Sequence, residues 1–289
     1  MKTLSVVLAM AMICLNASAQ EPKKPDTIRI GNIIIIKQAG KKDKNKNTDS
    51  TSEARTNGKK SHSLVKTNWG IIDLGFSNYS DMTNYGNTGS YLVNNPATGV
   101  PAISGNDLKL RAGKSINVNI WFFMQRLNII KRNVSLKYGL GLELNNYRYK
   151  STISYKEGGV LPYTAGQINA PFIFRDTVAF SKNKLAADYL TIPVMLNFST
   201  NPSGHHKPFQ ISIGVSGGYL YSQRNKQKSN VRGKDKNKGD YDLERFKFSY
   251  ISELGLGPVR LYGSYSPNSI YERELDIRPY TFGIRFSNL

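Results

Sequence analysis

Asp188-Tyr189-Leu190-Thr191-Ile192-Pro193-Val194-Met195-Leu196-Asn197-Phe198, a polar turn, then Phe209-Gln210-Ile211-Ser212-Ile213-Gly214-Val215-Ser216-Gly217-Gly218-Tyr219-Leu220-Tyr221 is the stretch that decides the fold. One set of alternate positions is greasy: Leu190, Ile192, Val194, Leu196 and Phe198, then Phe209, Ile211, Ile213, Val215 and Tyr219. The intervening set includes Thr191, Asn197, Gln210, Ser212, Gly214 and Ser216. Period two is the strand period, so each run has one apolar and one polar face. Each run is also long enough to cross a bilayer when tilted. The pair reads as one hairpin of a transmembrane β-barrel.

The same alternation recurs on both sides. Strands are expected at about Trp69 to Tyr79, Gly113 to Gln125, Asn133 to Tyr149, Arg245 to Gly255, Val259 to Ser266 and Arg278 to Ser287. With the opening pair that makes eight. Their connections alternate in length. Arg126 to Arg132, Ser199 to Pro208 and Leu256 to Pro258 are short, whereas Ser80 to Ala112, Lys150 to Lys184, Gln223 to Glu244 and Pro267 to Ile277 are long and hold the polar tips. Short periplasmic turns and long outside loops are the habit of outer-membrane barrels. A soluble sandwich has no need of long loops on one side only. The expected fold is therefore all-β: an eight-stranded antiparallel up-and-down transmembrane β-barrel over residues 69–289, closed because lipid offers no partner to an open edge. Tyr147, Tyr149, Tyr189, Tyr219, Tyr221, Tyr250 and Tyr265 lie near strand ends and are expected to form girdles at headgroup level.

Composition bounds the rest. A hydrophobic fraction of 39% and a mean hydropathy of −0.42 exclude a bundle of apolar transmembrane helices, but not a barrel, where only alternate residues meet lipid. The formal charge of +20 points to phosphate-bearing partners such as anionic lipid or lipopolysaccharide. Nucleic acid is discounted, because the basic stretches lack aromatic interleaving and a recognised module. Residues 1–19 read as a cleaved signal peptide, with Lys2, an apolar run from Leu4 to Leu15, and Ala17-Ser18-Ala19. The sole cysteine, Cys14, lies in that leader, so no disulfide framework is expected. Residues 20–68 read as a basic periplasmic lead-in, mostly disordered by composition. Within it, residues 27–37 suggest a small hairpin turning at Gly31-Asn32.

With these stretches in view, the chain resembles the PorT-like outer-membrane β-barrel family of Bacteroidetes-type bacteria. The likeness rests on Thr27-Ile28-Arg29-Ile30-Gly31-Asn32, Trp69-Gly70-Ile71-Ile72-Asp73-Leu74-Gly75-Phe76, and Ser181 to Leu185 followed by Tyr189-Leu190-Thr191-Ile192-Pro193. It continues through Gly214 to Tyr219, Lys238-Gly239-Asp240-Tyr241-Asp242-Leu243, and Arg278-Pro279-Tyr280-Thr281-Phe282-Gly283-Ile284. None of these is a catalytic motif. The resemblance implies an eight-stranded outer-membrane barrel, and for some relatives a link to type IX secretion and gliding. The chain departs from that pattern in its basic lead-in and in ending Phe286-Ser287-Asn288-Leu289, past the usual terminal aromatic.

The strand phases place Asp73, Lys137, Glu143, Lys247, Glu253, Arg260 and Arg285 inside the barrel. A lumen of eight strands is filled by side chains, so these charges are expected to form an ion-pair network. Glu143 and Glu253 differ in height along their strands, which argues against a hydrolytic carboxylate pair. His62, His205 and His206 lack the carboxylate or thiolate company of a metal site. No phosphate-binding glycine loop or nucleophile elbow is present, so neither cofactor nor metal is expected. On the long loop, Arg224, Lys226, Lys228, Arg232, Lys234, Lys236 and Lys238 are candidate contacts for lipopolysaccharide or a partner. The expected function is a non-enzymatic structural or interaction protein of the outer membrane, in a secretion or gliding assembly. The alternative is a barrel enzyme acting on lipid or peptide at the outer leaflet. A porin is excluded by lumen width.

Overall fold

The computed structural model describes residues 27–30, 33–36, 65–130, 133–200, 209–256 and 259–286. The expected signal peptide and most of the lead-in lie outside them. Of the lead-in, β1 (Thr27–Ile30) and β2 (Ile33–Ile36) pair antiparallel with Ile30 opposite Ile33. This is the register of a two-residue hairpin.

From Val65 onward the strands are β3 (Val65–Asp81), β4 (Leu92–Val93), β5 (Ile116–Ile130), β6 (Val134–Arg148), β7 (Ile153–Lys156), β8 (Gly159–Val160), β9 (Gln167–Ile168) and β10 (Phe172–Arg175). They continue as β11 (Lys182–Ser199), β12 (Phe209–Ser229), β13 (Gly233–Lys238), β14 (Phe246–Leu256), β15 (Val259–Tyr265) and β16 (Ile277–Phe286). A short helix, α1, spans Gly105–Leu108. Eight strands form one antiparallel sheet in the order β11-β6-β5-β3-β16-β15-β14-β12, and β11 also pairs with β12. The sheet is thus a closed ring, which removes the unpaired edges that lipid could not satisfy.

The alternation sorts side chains to the two sides of the ring. Ile192, Val194, Leu196, Ile211, Ile213 and Val215 stand exposed on the outer face, as do Leu74, Phe76, Leu261 and Ile284 around the ring. Soluble monomers rarely expose an apolar surface of this extent. The inner face carries Asp73, Asn117, Asn145, Thr191, Ser212 and Thr281, all buried. Tyr262 crosses the lumen, and it fits because Gly75 and Gly283 face it. A Cβ added at Gly75 would come within 2.4 Å of the Tyr262 hydroxyl, and one at Gly283 within 2.8 Å of the ring.

Two expectations need correction at the long-loop end. First, strands run further than their greasy stretches. β11 begins at Lys182 and β12 continues to Ser229, where loops were expected. The period of two persists there with different residues: Asn183, Asn225 and Gln227 point inward and are buried, while Lys182, Lys184, Lys226 and Lys228 take the outward register. Second, three of the seven girdle tyrosines are not girdle residues. Tyr219, Tyr221, Tyr250 and Tyr265 are exposed, but Tyr147, Tyr149 and Tyr189 are buried on the inward register.

Those inward tyrosines belong to a core that the long loops build over the barrel mouth. It gathers Tyr91, Leu108, Tyr149, Ile153, Tyr155, Ile173, Tyr241, Leu243, Tyr271 and Leu275. One tyrosine comes from each long connection: Tyr91, Tyr155, Tyr241 and Tyr271. The Tyr91 hydroxyl donates to the Tyr241 carbonyl at 2.6 Å. Tyr155 bridges the Tyr149 hydroxyl at 2.6 Å and the Tyr271 hydroxyl at 2.7 Å. Burial pushes the Tyr91, Tyr155 and Tyr271 hydroxyls well above the usual phenol range, so they stay protonated donors. A three-stranded sheet, β4-β10-β7, braces this cap. Arg175 clamps Asp107 at the start of α1 with two hydrogen bonds of 3.0 and 2.8 Å. The loops were expected to be polar tips; they are a folded cap.

Candidate functional site

The lumen places all seven of its expected charges in buried positions. Arg285 reaches both oxygens of Asp73 at 2.7 Å with Nε and Nη2, and its Nη1 meets Glu253. Lys137 pairs with the other Glu253 oxygen. Asp73 also accepts from Trp121 Nε1 at 2.7 Å and Asn119 Nδ2 at 3.1 Å. A second, separate pair lies nearer the long-loop end, where Lys247 meets Glu143, which accepts from Asn145 Nδ2 at 3.1 Å. Arg260 is buried with no ion pair among the described residues. Glu143 and Glu253 therefore serve different cations and share none. What space is left between Trp121, Glu143, Glu253 and Arg285 is a cavity of 30 Å³, room for about two waters. Side chains fill an eight-stranded lumen in this way.

The basic loop divides. Arg224 turns back to pair with Asp188, and Arg232 is clamped on Asp176 at 2.6 and 3.1 Å. These two arginines are structural parts of the cap. The lysines do something else, because the strands put them in register with cations from neighbouring strands. Lys184 on β11 stands opposite Arg148 on one side and Lys226 on the other, and Lys226 stands opposite Lys236 on β13. One step further from the apolar belt, Lys182, Lys228 and Lys234 form a second row. Directly opposed residues sit about 5 Å apart at Cβ, and like charges there repel. Among the described residues none of these seven cations is in a salt bridge. Residues 182–187 and 222–229 lie beyond the exposed apolar belt. Burial, then the charges of Lys226, Lys182, Arg224 and Arg148, pull the Lys184 amine down to about 8. Lys226 is lowered too, by burial and by Arg224, Lys236 and Lys182.

Below the rows the sheet forks. β12 pairs with β14 up to Tyr219 and with β13 from Arg224 onward. The fork opens a cleft of 390 Å³ whose lining includes Tyr219, Tyr221, Ser222, Lys238, Asp240 and Arg245. Reading the loop alone missed Arg148, Lys182, Lys184 and Arg245, because strand register, not chain position, brings them alongside. Among the described residues no three His, Cys, Asp or Glu side chains converge as a metal site would require. His62, His205 and His206 lie outside the described residues.

A family model for the outer membrane protein beta-barrel domain matches residues 72–268, well over half of the chain. Comparison with curated proteins gives no match.

Proposed function

The chain belongs to the outer membrane protein beta-barrel domain family, and from that premise we propose that it is a PorT-like, non-enzymatic interaction protein whose folded cap contacts another component of an envelope assembly, of the secretion or gliding kind. The short turns then face the periplasm and the cap faces outward, as is usual for such barrels. The observation that carries this reading is the pairing of a filled lumen with a cap that has its own core. Nothing passes through, so the work falls to the outside surface. The same geometry supports a non-catalytic role. The lumen carboxylates are committed to buried cations away from the outer leaflet. Asp107, Asp176 and Asp242 in the cap are each held by an arginine.

Exposed apolar residues mark where a partner would sit. Val231 at the tip of the β12–β13 hairpin and Val160 on the β8–β9 hairpin are 80% and 71% exposed. Photo-crosslinking side chains placed at these two positions in living cells test the proposal. The expected result is one discrete protein adduct from at least one cap position and none from lipid-facing Ile213. Adducts with lipid and abundant porins alone would overturn it.

A further inference from the structure

We propose that the lysine rows and the fork beneath them form a docking surface for the stacked anionic groups of lipopolysaccharide, the phosphorylated glycolipid of the outer leaflet. The inference rests on the membrane setting that family membership supplies. It does not depend on the cap having a protein partner.

Four observations converge. The rows on β11 and β12 lie on the outer wall of the sheet, on the side opposite buried Asn183, Asn225 and Gln227. They sit on the same strand face as the apolar belt, with Tyr219 and Tyr221 between belt and lysines, each about half exposed. The cations oppose one another in register and, among the described residues, none of them is in a salt bridge, so the isolated protein keeps a repulsive surface that an anion would relieve. They also occupy several heights. At about 3.3 Å per residue and a tilt near 40°, Lys226 stands roughly 12 Å above Tyr221, and Lys228 higher again. The cleft cations Lys238 and Arg245 lie lower, beside the two tyrosines, and outnumber the one cleft carboxylate, Asp240, which accepts from Gln223 Nε2 at 3.0 Å.

That spread of heights selects the occupant. The polar headgroup layer of a bilayer adds only about 5–7 Å per leaflet. A single phospholipid phosphate would meet the cleft and leave the upper rows unused. A glycolipid with phosphates at the membrane surface and further acidic sugars above it matches cleft, first row and second row in turn. Lysine stems can also bend toward the surface, keeping the ammonium in the anionic layer. Each basic side chain near an anionic surface adds to the attraction, and several in register make the effect large.

The test uses the full-length barrel extracted from outer membranes in mild detergent, with retained lipopolysaccharide measured by mass spectrometry. The variant K226Q/K228Q/K234Q/K236Q should retain at least about tenfold less than the natural protein. A variant with equal charge loss elsewhere at the cap, K109Q/R111Q/K114Q/K150Q, should stay within about twofold. Gel mobility before and after boiling reports that each barrel is folded. Reconstitution of stripped protein then identifies the anion. Purified lipopolysaccharide should rebind, while its dephosphorylated form and phosphatidylglycerol should not. Equal retention by both variants, or rebinding that ignores the phosphates, would overturn the proposal. So would loss of a co-purifying acidic protein, with lipopolysaccharide retention unchanged, from K226Q/K228Q/K234Q/K236Q.

Discussion

The two halves of β12 belong to one strand, joined across a register slip at Tyr221 that moves the outward positions from odd to even, and have opposite chemistry. From Phe209 to Tyr221 the outward side chains are Ile211, Ile213, Val215 and tyrosines, set against inward Ser212 and Ser216. From Arg224 to Ser229 the outward side chains are Lys226 and Lys228, set against inward Asn225 and Gln227. Both halves carry inward polar groups that hydrogen-bond. Asn197 donates to Ser212 at 2.9 Å below, and Gln227 to Ser154 at 2.7 Å above. What changes along the strand is the medium outside it. Period two belongs to the strand; greasiness belongs to the solvent that the strand meets.

The lower half is most sensitive on its inner face. Asp73→Ala leaves Arg285 buried without its bidentate partner and strands the Trp121 and Asn119 donors. A loss of about 3–5 kcal/mol is expected, read by urea-dependent unfolding in lipid vesicles. On the outside of the same half, Ile213→Lys should cost about 2–4 kcal/mol, because a charge there meets hydrocarbon. In the upper half the inverse change, Lys228→Ile, should move stability by less than about 0.5 kcal/mol. If the two exchanges cost the same, the halves do not face different media. In the cap, Tyr155→Phe removes the hydroxyl joining Tyr149 to Tyr271. It should cost about 1–3 kcal/mol as local cap opening, seen as faster protease nicking with the barrel mobility on gels unchanged.

The smallest effect concerns pH. Without a bound anion, burial and then the cations of Lys226, Lys182, Arg224 and Arg148 hold the Lys184 amine down at about 8. A bound anion favours its charged form. Lipopolysaccharide rebinding should therefore be flat below pH 8 and weaken as pH rises above it, since binding must then take up a proton. Weakening on going down from pH 8 to 6 would carry the wrong sign.

All eight barrel strands were legible because hydrocarbon forces a strict apolar alternation on them. Their upper ends were not. Asn183, Asn225 and Gln227 alternate with lysines, and polar against polar gives no hydropathy signal. Tyr147, Tyr149 and Tyr189 sit near strand ends as girdle residues do, but their parity with Asn145 and Thr191 puts them inside. The cap was hidden for another reason. β4, β7 and β10 are two to four residues long. Its core joins Tyr91, Tyr155, Tyr241 and Tyr271 across up to 180 residues of chain, which no local pattern announces. The lumen charges were visible by phase, but which carboxylate serves which cation depends on the ring's register. The same holds for the lysine rows: four of their seven cations are visible in the loop, and Arg148, Lys182 and Lys184 are not.

The most direct measurement is a single-cysteine scan of β12 from Gln210 to Lys228 in intact outer membranes, on a Cys14→Ser background, comparing a membrane-soluble with a water-soluble thiol reagent. The account predicts that positions 211, 213 and 215 react only with the membrane-soluble reagent and positions 226 and 228 with the water-soluble one. The switch should fall between Tyr221 and Arg224. Ready labelling of 211, 213 and 215 by the water-soluble reagent would contradict it.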